Sequence, residues 1–166
     1  MPSVSYLELP LTVYMSVTCA HLFQTRMLWK CFLLYLWKEC YCMSVCLHRY
    51  FSHKAFRCSR RVQFALSFIG CLASQGSPVW WASKHRRHHR YCDTDHDPHS
   101  PQVFSPLYAW LGWIYAEGPL GRGVDSEFVQ DLEAFPELRL FELAPWLPVA
   151  SVHWMWYSAF GPGELV

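Results

Sequence analysis

Apolar residues fall in runs separated by short polar breaks. Leu7 to Phe23 is apolar apart from Glu8 and His21, about long enough for a marginal membrane span. Leu28 to Leu47 is a second apolar run, but it holds Lys30, Lys38 and Glu39. A charge at mid-membrane costs a few kcal/mol. Lys38 and Glu39 therefore belong near an interface, with the end of that helix projecting from it towards His48. Val62 to Ala73 is too short to span and reads as a half-buried interfacial helix. Gln75-Gly-Ser-Pro78 breaks the pattern, and a further helix starts near Val79. Phe104 to Ala116 is short and aromatic, and Arg122 to Glu142 is polar with a weak helical pattern of Phe128, Leu132 and Phe135. Leu143 to Phe160 is uncharged and is the best single span. The pattern predicts an all-α integral membrane protein of about three spans plus interfacial helices.

Composition agrees. Of 166 residues, 52% are hydrophobic and 16% charged, against about 25% charged in ordinary soluble domains. Nine Trp, nine Tyr and eleven Phe suit interfacial aromatic belts. The net charge of +1 hides a basic middle and an acidic stretch from Glu117 to Glu142. Eight cysteines come without any C-x-x-C pair or secretory leader, and Cys31, Cys40, Cys42 and Cys46, in apolar sequence, read as small buried hydrophobes.

Chemistry concentrates between His48 and His89. The stretch opens with His-Arg-Tyr-Phe-Ser-His (48–53) and closes with His-Arg-Arg-His-His (85–89), with no carboxylate between Glu39 and Asp93. On a helix, His85, His88 and His89 share a face, while Arg86 and Arg87 point elsewhere. Imidazoles crowded on one face suit neutral ligands around a cation. His48 and His53 are five apart, which a straight α-helix does not bring together. A helix ending near His48 and a turn at Phe51-Ser52 would do so. The strings of zinc proteases and ferritin-like di-iron bundles are absent. An imidazole-rich site suits Fe, Cu, Ni or Zn. Only thirty-one residues separate His53 from His85, whereas two crossings need about forty, so both clusters lie on one side. Positive residues assign that side to the cytosol. Asp93, Asp95 and Asp97 flank His96 and His99 in a Pro-containing loop that reads as a polar turn rather than a ligand or ligand-supporting segment. His153 reads as a packed or pore-facing histidine.

These two clusters, with the run Asp93-Thr-Asp-His-Asp-Pro-His99 and Gly112-Trp113, resemble the first two histidine boxes of the integral-membrane fatty acid desaturases, acyl-CoA Δ9 type. The resemblance implies a histidine-ligated di-iron centre that uses O2 and two electrons to place a cis double bond in an acyl chain. It assigns His48, His53, His85, His88 and His89 as metal ligands, and Gln75 and Trp81 as residues beside the acyl chain. Trp80 is then an interfacial anchor. It implies an acyl-CoA or other acyl carrier, an electron donor such as cytochrome b5 or a ferredoxin, membrane lipid around the chain, endoplasmic reticulum localisation and no nucleic acid. Animal-type members carry Arg-Asp where this chain has Ser83-Lys84. The family's third box, of the H-N-x-H-H type, is absent, so residues 1–166 are expected to be an incomplete desaturase domain, its N-terminal portion. A related membrane hydroxylase and an inactive metal-binding fragment are the alternative readings.

Overall fold

The computed structural model describes residues 25–160, and all regular structure among them is helical. The first expected span, Leu7 to Phe23, lies outside the described residues. Helix α1 (Thr25–Trp37) runs directly into a π-helical segment (Lys38–Ser52). Then come α2 (Arg60–Cys71), α3 (Pro78–Tyr91), the short α4 (Pro106–Trp110), two 3-10 turns (Gly112–Tyr115 and Gly118–Leu120), α5 (Ser126–Glu133), α6 (Pro136–Leu143) and α7 (Leu147–Phe160).

Local chemistry sets the helix starts. Ser59, Ser77 and Ser105 each take an extended conformation and accept a backbone N–H three residues on, from Val62, Trp80 and Tyr108. At Ser77-Pro78 and Ser105-Pro106 the proline fills the first helical position, where no N–H is needed. Pro136 starts α6 in the same way. After α2, Ser74 and Gly76 take positive φ and turn the chain back into α3.

The core lies where the π segment, α2, α3, α5 and α6 meet. Cys46, Phe51, Leu66, Val79, Ala82, Val129, Leu132 and Leu138 form its main cluster, and Cys42, Leu47 and Ala73 a second. At Gly70 a Cβ would come within 2.8 Å of Leu47 Cδ2, so α2 lies closely against the π segment next to His48. Cys42 and Cys46 are fully buried as expected, whereas Cys40 is exposed.

Outside this core, α1 presents exposed Leu28, Trp29, Phe32, Leu33 and Leu34, and α7 presents Trp154, Met155 and Tyr157. No helix among the described residues is long and apolar enough to cross a membrane. The fourteen residues of α7 rise roughly 21 Å at 1.5 Å each, against a hydrocarbon core of about 30 Å. Helix α7 begins at Leu147 rather than Leu143, because Pro145 and Pro148 delay its start.

Candidate metal centre

Two elements bring the histidine clusters together. The first does so by a route the spacing did not suggest. The helix does not end near His48 but continues through Ser52 in π winding, and the His53 N–H donates to the His48 carbonyl at 3.0 Å. An i→i+5 hydrogen bond sets residue i+5 above residue i, which α winding does not. The two rings lie 4.5 Å apart, and the Ser52 hydroxyl donates to the Leu47 carbonyl in the same five-residue step. The second element is α3, an α-helix as expected, with His85 and His89 one turn apart.

His48, His53, His85 and His89 form one group whose ligand nitrogens all lie within 4.8 Å of one another. His85 is at its centre, with its Nε2 3.0 Å from Nε2 of His53 and 3.0 Å from Nε2 of His89. A single ring nitrogen offers one proton or one lone pair, so it does not form two hydrogen bonds to two other ring nitrogens. The arrangement does suit a shared cation. Two nitrogens held about 2.1 Å from one ion at right angles are about 3.0 Å apart. The donor set therefore fits an imidazole-bound transition metal.

Electrostatics favour the same state. Burial, and then the neighbouring His48, His89, His53 and His88, push the His85 imidazole down to about 3. His48 is lowered by burial and then by His89 and Arg49. His53 is lowered by burial and then by His48, His89 and Arg86. Neutral imidazole is the ligand form.

His88 shares the helix but does not join this group. Its Nδ1 faces both carboxylate oxygens of Asp97 at 3.0 Å, which leaves Nε2 as its free ligand atom. Asp97 is fully buried, and its carboxylate also accepts the backbone N–H groups of Asp93 and His99. Burial pushes this carboxyl up, but the bonds from His88, His99 and Asp93 outweigh it and hold it below the usual range. His99 stacks on His88 at 4.5 Å, and Trp113 covers His99 at 5.0 Å. The Asp93–His99 loop is thus more than a polar turn. It supplies a carboxylate that orients a histidine, an arrangement common behind metal ligands. The signal for it in the sequence was the alternation of Asp with His after the second cluster. His96, by contrast, is exposed beside Asp95. His153 is exposed and pairs its Nδ1 with the Val149 carbonyl in its own helix.

The two expected acyl-chain residues part company. Trp81 is half-buried, stacked on His85 at 4.6 Å and edge-on to His48 at 6.2 Å. Gln75 is exposed in the turn before α3. Trp80 is fastened inside the protein: its indole N–H donates to the Gly121 carbonyl, and its ring stacks on Trp113. Ser83 and Lys84 are both buried, with the Lys84 ammonium donating to the Gly123 carbonyl at 2.5 Å. Arg87 turns away from the histidines to the His96 carbonyl and to Asp125.

The fatty acid desaturase family model matches residues 24–162, the segment that builds this centre. Among curated relatives, the chain is 43% identical to a hex-5-enoyl-[acyl-carrier protein] acetylenase of Moorena producens, over 43% of this chain and 26% of the relative. It is 39% identical to an acyl-CoA C20 Delta5-desaturase of Anemone leveillei, over 56% of this chain and 30% of the relative. It is 30% identical to a probable chloroplastic lipid desaturase of Arabidopsis thaliana, over 83% of this chain and 39% of the relative. The matches thus span between about a quarter and two fifths of these relatives' lengths. No solved structure matches the chain significantly. With two histidine clusters folded into one imidazole centre inside the matched segment, the chain belongs to the fatty acid desaturase family.

Proposed function

We propose that this chain carries the histidine metal site of a membrane fatty acyl desaturase. His48, His53, His85 and His89 would hold one iron, and His88, aimed by Asp97, would offer its Nε2 to a second. The observation that carries this is the convergence of three Nε2 atoms at 3.0 Å spacing around His85. Bound iron would supply activation of O2 towards an unactivated C–H bond, which side chains alone do not provide. The residues of the chain do the rest. Asp97 accepts the Nδ1 proton of His88 and so fixes which nitrogen faces the metal. Partial burial and the neighbouring imidazoles keep His85 neutral.

Trp81 lies against His48 and His85, where a flat apolar ring can hold an alkyl chain at contact distance from the metal. Gln75, three residues before the helix, is assigned a place beside the same alkyl chain. The relatives' names place the acyl group on an acyl carrier protein, on coenzyme A and on a lipid, so the carrier is left as an acyl thioester or acyl lipid. With Ser83 and Lys84 buried, coenzyme A recognition would have to come from other residues. The double bond is assigned as cis, at a Δ9-type position. The reducing partner is assigned as a cytochrome b5 or ferredoxin, and the location as the endoplasmic reticulum membrane with the histidines on the cytosolic side.

Iron content of the purified chain tests the site. Parent protein is expected to bind iron at His48/His53/His85/His89. His85→Ala is expected to lose it, because the central ligand goes, and His88→Ala to retain it. Equal iron in His85→Ala and parent would refute the assignment.

A further inference from the structure

The arginines of the second cluster point away from its histidine face, and Arg86 is nearly buried, with 14% of its side chain exposed. Its five N–H donors are all engaged. Nε donates to the Ser52 carbonyl at 3.0 Å, and Nη2 to the Phe51 carbonyl at 2.5 Å. Nη1 donates to the Phe128 carbonyl at 2.6 Å, and the two terminal nitrogens grip Asp131 at 2.6 and 3.2 Å. Three elements therefore meet on one guanidinium: the end of the π segment, α3 and α5.

The positions of these contacts matter. Phe51 and Ser52 sit at the C-terminus of a helix, where carbonyls lack intrahelical partners and a cation is favoured. Ser52 directly precedes His53, and Arg86 directly follows His85. The clasp thus lies one residue from a histidine of each cluster, next to the pair whose Nε2 atoms are 3.0 Å apart. On the far side, α5 is kinked at Val129, and the carbonyl just before the kink is the one that Arg86 takes. Asp131 is gripped a second time, by Lys54 just after His53.

We infer that Arg86 is the positioning residue of the metal centre. Its planar fork sets the π segment and α3 at the one separation and rotation that brings the two histidine clusters onto a common ion. The inference rests on the four-histidine reading above. Lysine cannot substitute, because a single ammonium on a flexible stem reproduces neither the fork nor the reach to three elements.

Co2+ titration of the detergent-solubilised full chain, followed by its visible ligand-field bands, tests this. His85→Ala checks the underlying site: if it matches the parent, the four-histidine reading fails and not the clasp. Given a parental site abolished by His85→Ala, Arg86→Ala is expected to bind Co2+ about 10–100-fold more weakly, the range for residues that orient ligands. Its band positions are expected to change, and Arg86→Lys is expected to behave alike. The control Arg60→Ala, which breaks the exposed Arg60–Glu137 pair remote from the histidines, is expected to leave affinity and bands unchanged. Parental affinity and bands in folded Arg86→Ala would overturn the inference. Should the alanine variant not fold, the decision passes to Arg86→Lys, and parental affinity and bands there would overturn it too.

Discussion

Replacing Asp97 by Asn changes one oxygen to an amide nitrogen and removes one buried charge. The native carboxylate accepts on both oxygens: Oδ1 takes the His99 N–H, Oδ2 takes the Asp93 N–H, and the His88 Nδ1 lies 3.0 Å from each. An asparagine places its NH2 against one of those backbone donors, whichever way it is turned. One buried N–H then loses its acceptor, at about 1–3 kcal/mol. For a chain of this size each kcal/mol lowers the melting point by about 2–4 °C, so the expected loss is roughly 2–12 °C. The pH dependence supplies a second readout. The Asp97 carboxyl is held below its ordinary range, so its contribution to stability is full above the unfolded carboxylate value of about 3.9 and is lost as pH falls through the lower folded value. The gap between parent and variant should therefore be constant from pH 7 to 5 and close only in stronger acid. Thermal unfolding by circular dichroism measures both. A variant melting within 1 °C of the parent at pH 7, by a threshold set at about half the smallest expected shift, would refute the carboxylate's role.

Other perturbations have equally direct outcomes. Gly121→Ala would set a Cβ 1.9 Å from the backbone oxygen of Ala116, which has no flexible end to move. A loss of at least about 1–3 kcal/mol in chemical denaturation is expected, along with altered fluorescence of Trp80, whose indole binds the Gly121 carbonyl. In metal-free protein the folded His85 stays neutral far below the unfolded histidine value of about 6.5, so the unfolded state binds more protons in acid. Stability should fall as pH drops from about 6.5, and a melting point unchanged between pH 7.5 and 5 would contradict that. Trp81→Ala, made in a full-length desaturase context, should change the fatty acid product profile by gas chromatography while iron stays bound. Trp80→Ala should mainly lower the melting point, since it loses a stacked Trp113 and a hydrogen bond. The reverse pattern would exchange their assignments.

Much of this was legible in the residues themselves. The break at Gln75-Gly-Ser-Pro78 marked the start of α3, because a serine cap and a proline without an N–H act within one turn. His85, His88 and His89 were on a helix, and Arg86 and Arg87 pointed away from their face, because helical periodicity is local. The family resemblance was carried by short contiguous motifs, which need no tertiary information. What the chain alone left open depended on contacts between distant residues. The five-residue spacing of His48 and His53 fits either a turn or π winding, and packing of Cys42, Cys46 and Leu47 against α2 accompanies the second. The separation of His88 from its helical neighbours follows from Asp97, which a loop folds back into the protein. What Arg86 meets on its own side of the helix was not legible, because only the tertiary fold brings the π segment and α5 to the same guanidinium. Periodicity places a side chain on a face of its own helix. What that face meets is decided by packing and by the need to pair every buried donor and acceptor.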